Sequence, residues 1–111
     1  MKKNPTDIYV VSWADYDGNS EIMTSGTLTD IFSTYEAARA AVDSQIDQIV
    51  ADDMYAFDED EYEDAYGTKD KAEIRRMFVC RDTHDFILVR NPNTDCESQY
   101  SISKYSLNFV K

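Results

Sequence analysis

Residues 32–54, FSTYEAARAAVDSQIDQIVADDM, read as one long amphipathic helix, and the remaining segments read as the sheet that helix needs to cover. Ser33 is a good N-cap, because its hydroxyl accepts from a free backbone N–H of the first turn. Glu36, three residues on, completes a Ser-x-x-Glu capping box, and Phe32 stands where a hydrophobic staple belongs. Ala37, Ala38, Ala40 and Ala41 then favour helix propagation. Tyr35, Ala38, Val42, Ile46, Ile49 and Val50 recur three or four apart and share one face. Arg39, Asp43, Gln45, Asp47 and Gln48 fall largely on the other.

On the N-terminal side, Ile8–Ala14 is β-branched and aromatic and reads as a central strand. The turn-forming run 15–20 follows, and Glu21–Ser25 is a natural antiparallel partner. Residues 26–30 suggest a bulge or bend. On the C-terminal side, residues 55–67 read as a short second helix. Tyr55, Tyr62 and Tyr66 share its inner face, and Gly67 serves as its C-cap. Thr68 is placed to cap one more turn through Glu73. Arg76–Arg81 and Phe86–Arg90 predict a second hairpin across residues 82–85. After the Asn91-Pro92-Asn93-Thr94 turn, Glu97–Ser103 predicts a fifth strand at the periphery, which Tyr105, Leu107 and Phe109 extend or leave as a tail. The expected fold is therefore α+β. A four- or five-stranded, mainly antiparallel sheet carries the long helix on one face, in the order β-β-α-(α)-β-β-β, as a single domain spanning 1–111.

Composition narrows the function classes. The 111 residues suffice for one hydrophobic core without staples, and 42% hydrophobic and 13% aromatic content is enough to order it. No apolar run reaches membrane-spanning length, and no signal-peptide apolar stretch follows the basic residues 1–5, so the expected location is cytoplasmic. Cys80 and Cys96 make neither a disulfide framework nor a four-ligand metal site, and read as reduced, partly buried thiols. The net charge of −11 argues against direct nucleic-acid or anionic-membrane binding and permits a basic partner.

That charge is concentrated. Residues 52–64 carry Asp52, Asp53, Asp58, Glu59, Asp60, Glu61, Glu63 and Asp64 with no basic residue among them. The rest of the chain holds 14 acidic against 11 basic residues. Tyr55, Phe57, Tyr62 and Tyr66 interleave with these carboxylates, and tyrosine is a frequent interface anchor. A dense carboxylate array imitates the phosphate rail of duplex DNA, which presents one charge per roughly 1.7 Å of axis. A calcium loop of the EF-hand kind does not fit. Counting from Asp58, the sixth position is Glu63 instead of Gly and the twelfth is Lys69 instead of Glu.

Catalytic constellations are sparse. The three glycines are too scattered for a phosphate loop, so no cofactor is implied. His84, the sole histidine, lies in a predicted turn and reads as a surface imidazole. Asp15-x-Asp17-Gly18 after an apolar strand resembles the nucleophile motif of haloacid dehalogenase-type phosphatases. That resemblance would make Asp15 the phosphate-attacking group and Asp17 the acid/base, both helping to hold magnesium. It covers four residues, and Asn19 stands where the family has Thr. The family's parallel sheet needs a crossover helix that the short spacing to the next strand leaves no room for. Turn chemistry accounts for all four residues.

The reading that follows is a non-catalytic binding or inhibitor protein. Its acidic–aromatic surface is Asp52, Asp53, Tyr55, Phe57, Asp58, Glu59, Asp60, Glu61, Tyr62, Glu63, Asp64 and Tyr66. That surface is expected to engage a basic protein partner, as a nucleic-acid mimic does. Small acidic inhibitors carried by phages and mobile elements are similar in size and charge. The alternative is a structural domain whose charge run only solubilises it and whose exposed sheet edge pairs with a second copy as a homo-oligomer.

Overall fold

The computed structural model describes residues 6–19 and 21–107; the basic residues 1–5, Ser20 and Phe109 lie outside them. Five strands and three helices follow in the order β1 (Thr6–Tyr16), β2 (Ile22–Thr27), α1 (Tyr35–Met54), α2 (Tyr62–Tyr66), α3 (Lys71–Phe78), β3 (Val79–Asp82), β4 (Phe86–Arg90) and β5 (Glu97–Leu107), with a 3-10 turn over Glu59–Glu61 ahead of α2. The sheet is antiparallel throughout, in the spatial order β2-β1-β5-β4-β3, with the long helix on one face. The α+β architecture expected from the sequence is the one observed.

α1 buries Ala38, Val42, Ile46, Val50 and Met54, one residue every four, against Val11, Ile87, Val89, Tyr100 and Ile102 of the sheet. This single seam holds the layers together, because the buried residues of both elements belong to one cluster. The N-cap is Thr34 and not Ser33. Thr34 is extended and its Oγ1 accepts from the Ala37 N–H at 3.1 Å. A cap serves the third residue beyond it, so a helix starting at Tyr35 places the Ser33–Glu36 pair one step early. Phe32 is half-buried and held by the strand instead of acting only as a staple: it exchanges backbone hydrogen bonds with Tyr9 at 2.8 and 3.0 Å.

β5 is the central strand, not a peripheral one. It pairs with β1 over eleven residues, from Thr6 opposite Leu107 to Tyr16 opposite Glu97, and with β4 on its other side. A strand buried on one face needs an apolar residue only at alternate positions, and Tyr100 and Ile102 meet that need. The second hairpin is also shorter than expected. Residues 71–78 form α3, and β3 begins only at Val79. Asp70 caps α3 by accepting from the Ala72 and Glu73 N–H groups, while Ile74 and Phe78, four apart, are both fully buried. In β2, a Cβ added at Gly26 would lie 3.2 Å from Trp13 Cζ2, so the missing side chain lets the indole lie close along the strand. Cys80 and Cys96 are free and exposed, not partly buried. Among the described residues no helix is long and apolar enough to cross a membrane.

Candidate partner-binding surface

The acidic stretch opens where α1 ends and is tied down at both ends. Asp53, half-buried, accepts from the Tyr66 hydroxyl at 2.6 Å and from Asn91 Nδ2 at 2.7 Å, joining the end of α1 to α2 and to the β4–β5 turn. Tyr66 is 4% exposed, and burial together with the Asp53 carboxylate pushes its phenol well above the ordinary tyrosine range. Phe57 and Tyr62 meet the Tyr66 ring edge-on, with centroids 5.6 and 6.2 Å away, and Tyr66 in turn packs on Phe78. The excursion is therefore pinned by aromatics.

The stretch is not the single helix its periodicity suggested. Asp58 is extended, and Glu61 Oε1 accepts from its N–H at 2.8 Å, so the chain restarts there as a 3-10 turn followed by α2. Gly67 closes α2 with φ +77°, a left-handed cap that glycine adopts without strain. The break separates Tyr55 from the other tyrosines. Tyr55 is 92% exposed, while Tyr62 and Tyr66 pack inward. An open cleft of about 270 Å³ beside Tyr55 is lined by Ala51, Met54, Tyr62 and Lys71 as well.

The carboxylates sort into two groups. Asp52 accepts from Gln48 Nε2 at 2.7 Å, and Asp53 is spent on the fold. Asp58, Glu59, Asp60, Glu61, Glu63 and Asp64 are all exposed. Asp58, Asp60 and Glu61 bring one oxygen each within 4.8 Å of one another, so a hard cation would find three ligands there. Calcium takes six to eight oxygen ligands, so three exposed carboxylates alone do not make a calcium site. The ion pairs of the described residues lie elsewhere. Arg39 holds Asp82 through both guanidinium nitrogens at 2.7 and 2.8 Å and also reaches Asp43; Arg75 reaches Asp43 and Asp47; Arg90 pairs with Glu97; and Lys104 pairs with Asp7. None involves residues 52–64.

The Asp15–Asp17 motif is taken up by local structure. Asp17 Oδ1 accepts from the Asn19 and Glu21 N–H groups, which closes the β1–β2 turn, and Asp15 Oδ1 accepts from Ser98 Oγ. A second cavity, about 310 Å³, opens near the start of α1 between Tyr9, Tyr35, His84, Asp85, Ile102 and Lys104. His84 stacks on Tyr35 there at 4.0 Å and 9°, and its carbonyl accepts from the Tyr35 hydroxyl. Sequence reasoning left this group unassembled because its members come from distant segments with no shared motif. The chain matches no family model, no curated protein and no solved structure.

Proposed function

We propose that the chain is a non-catalytic binding protein whose acidic–aromatic surface, residues 52–66, engages a basic, nucleic-acid-binding protein by occupying its nucleic-acid site. The observation that carries this reading is the pairing pattern. The exposed carboxylates from Asp58 to Asp64 have no arginine or lysine partner among the described residues, although arginines neutralise other acids of the same chain. Unpaired like charges held together repel, and an incoming cationic surface relieves that cost. The segment is also held by aromatic packing, so little ordering entropy is lost on binding. Tyr55, exposed beside a cleft, supplies an amphipathic anchor.

Affinity capture on the immobilised chain, run at about 50 and 200 mM salt with duplex DNA as competitor, tests this reading. Retained proteins should be nucleic-acid-binding, should be displaced by the DNA and should weaken at the higher salt. Retention unaffected by both salt and DNA would contradict it.

A further inference from the structure

We propose that β5 takes an extended peptide as an added strand along its open edge at residues 104–106, with one aromatic side chain of that peptide seated in the cavity between Tyr9, Tyr35 and His84. β5 pairs with β1 along its whole length, but β4 lies beside it only at residues 97–101. One further bond, from the Ile102 N–H to the Asp85 carbonyl at 2.9 Å, continues that side. Main-chain groups alternate between the two sides of a strand, so those of Lys104 and Ser106 point the same way as the Ile102 N–H, away from β1. Tyr9, opposite Lys104, has the matching phase: its own main-chain bonds go to Phe32, on the far side of β1. Lys104 and Ser106 therefore carry main-chain donors and acceptors with no partner among the described residues. Another extended backbone matches such a row.

The cavity beside this edge selects the side chain. A residue placed opposite Lys104 on the open side directs its side chain to the same face as Lys104 and Ile102. On that face lies the opening of about 310 Å³ lined by Tyr9, Tyr35, His84, Asp85, Ile102 and Lys104. Three of its walls are rings, and they are fixed before anything binds. Tyr35 stacks on His84 and its hydroxyl donates to the His84 carbonyl, while Tyr9 meets Tyr35 edge-on at 6.4 Å and 75°. A further ring gains edge-to-face contacts there, and the volume admits one.

The charges add a second requirement. Lys104 is matched by Asp7 at 3.5 Å, whereas the exposed Asp85 carboxylate has no cationic partner among the described residues. In an antiparallel added strand, the peptide C-terminal to its aromatic residue runs up to Asp85, beside Ile102, so a lysine or arginine there meets that carboxylate. A second copy of this chain does not meet these terms through an edge strand, because β2, IMTSGT, and β3, VCRD, carry no aromatic residue. The site is also distinct from the acidic stretch, which lies at the other end of α1, about 30 Å away along a helix of 20 residues.

The test titrates ¹⁵N-labelled full chain with the capped peptide acetyl-Thr-Val-Thr-Phe-Thr-Lys-amide up to about 2 mM, a range suited to a short ligand. Saturable shift changes are expected at the amides of His84, Asp85, Lys104 and Ser106, with slowed exchange of the Lys104 and Ser106 N–H groups. Two N-methylated peptides read the strand register without relying on a variant that must fold. The N–H of the peptide's Phe points at the edge, so methylating it should weaken binding at least about tenfold. The N–H of the Thr before it points to solvent, so methylating that one should cost less than about threefold. Asp85→Asn should weaken binding about threefold, as loss of an exposed pair does. No shift at Lys104 and Ser106 by about 2 mM, equal losses from the two methylations, unchanged binding by the Asp85→Asn chain, or shifts confined to residues 52–66 would overturn the proposal. So would shifts at Lys104 and Ser106 that grow with protein concentration alone, since they would place a second copy on the edge.

Discussion

The same residue type meets opposite fates in two neighbouring regions. Along α1 and β3, Asp43, Asp47 and Asp82 are each reached by Arg39 or Arg75, and the pairs join helix to helix and helix to sheet. Fewer than twenty residues beyond Asp47, the carboxylates from Asp58 to Asp64 stand exposed with no such partner. The arginines follow architecture. Arg39 faces the β3 end, where its bidentate grip lowers the Asp82 pKa and raises its own, and Arg75 lies on α3 facing the acids of α1. The contrast teaches that acidity alone says little, and that what separates a structural carboxylate from a candidate contact is whether the chain supplies its partner, as a counter-charge or as a hydrogen-bond donor.

Breaking the unpaired region should produce the largest effect. The D58K/E59K/D60K/E61K variant should lose partner capture by at least about 100-fold, read by surface plasmon resonance on a captured partner, because several charge contacts vanish together and become repulsive. Its thermal midpoint should change little, since loss of the Glu61 bond to the Asp58 N–H is offset by the relief of like-charge repulsion. Asp53→Ala sharpens the comparison from the other side. It strands the Tyr66 hydroxyl and the Asn91 amide and should cost about 2 kcal/mol in urea unfolding, placing Asp53 with the structural carboxylates despite its position in the acidic run. Tyr55→Ala should weaken capture about tenfold while changing stability by less than about 0.5 kcal/mol, because the ring is exposed.

The smallest effect is set by pH. Asp82 has a lowered folded-state pKa, so its contribution is present above the unfolded value of 3.8 and fades as pH falls through the folded one. Tyr66 and Tyr100 are raised, Tyr100 to about 12 by burial first and then by Asp15, so their contributions are present below about pH 10 and fade as pH rises through the folded values. Urea unfolding across pH 3 to 11 should show a plateau between these limits. Asp82→Asn should soften the acid edge by about 1 kcal/mol, the scale of a half-exposed pair. Tyr66→Phe should soften the alkaline edge.

The elements that sequence reasoning recovered are those whose signal is local. The four-residue spacing of α1 and the turn residues between β1 and β2 survive in the structure because the packing agrees with them. Ser101 and Ser103 make the composition of β5 resemble an edge strand. Its central position comes from pairing with β1, some ninety residues away, which no local window contains. Arg76-Met77-Phe78-Val79 has no period of its own and so resembles a strand; the Asp70 cap and the Ile74–Phe78 spacing are the local signal for α3. Within the acidic run, the list of residues was legible but their division was not. Asp53 and Tyr66 turned inward because Asn91 and Phe78 are folded against them, and only the tertiary structure brings those partners near.

The most direct test follows the backbone amides of ¹⁵N-labelled chain as an arginine-rich helical peptide is added at about 50 and then 200 mM salt. The account predicts saturable chemical-shift changes concentrated at residues 55–64, weakened by the added salt, with the amides of Asp43, Asp47 and Asp82 undisturbed. Shifts spread evenly over every acidic position, or strongest along α1, would contradict it.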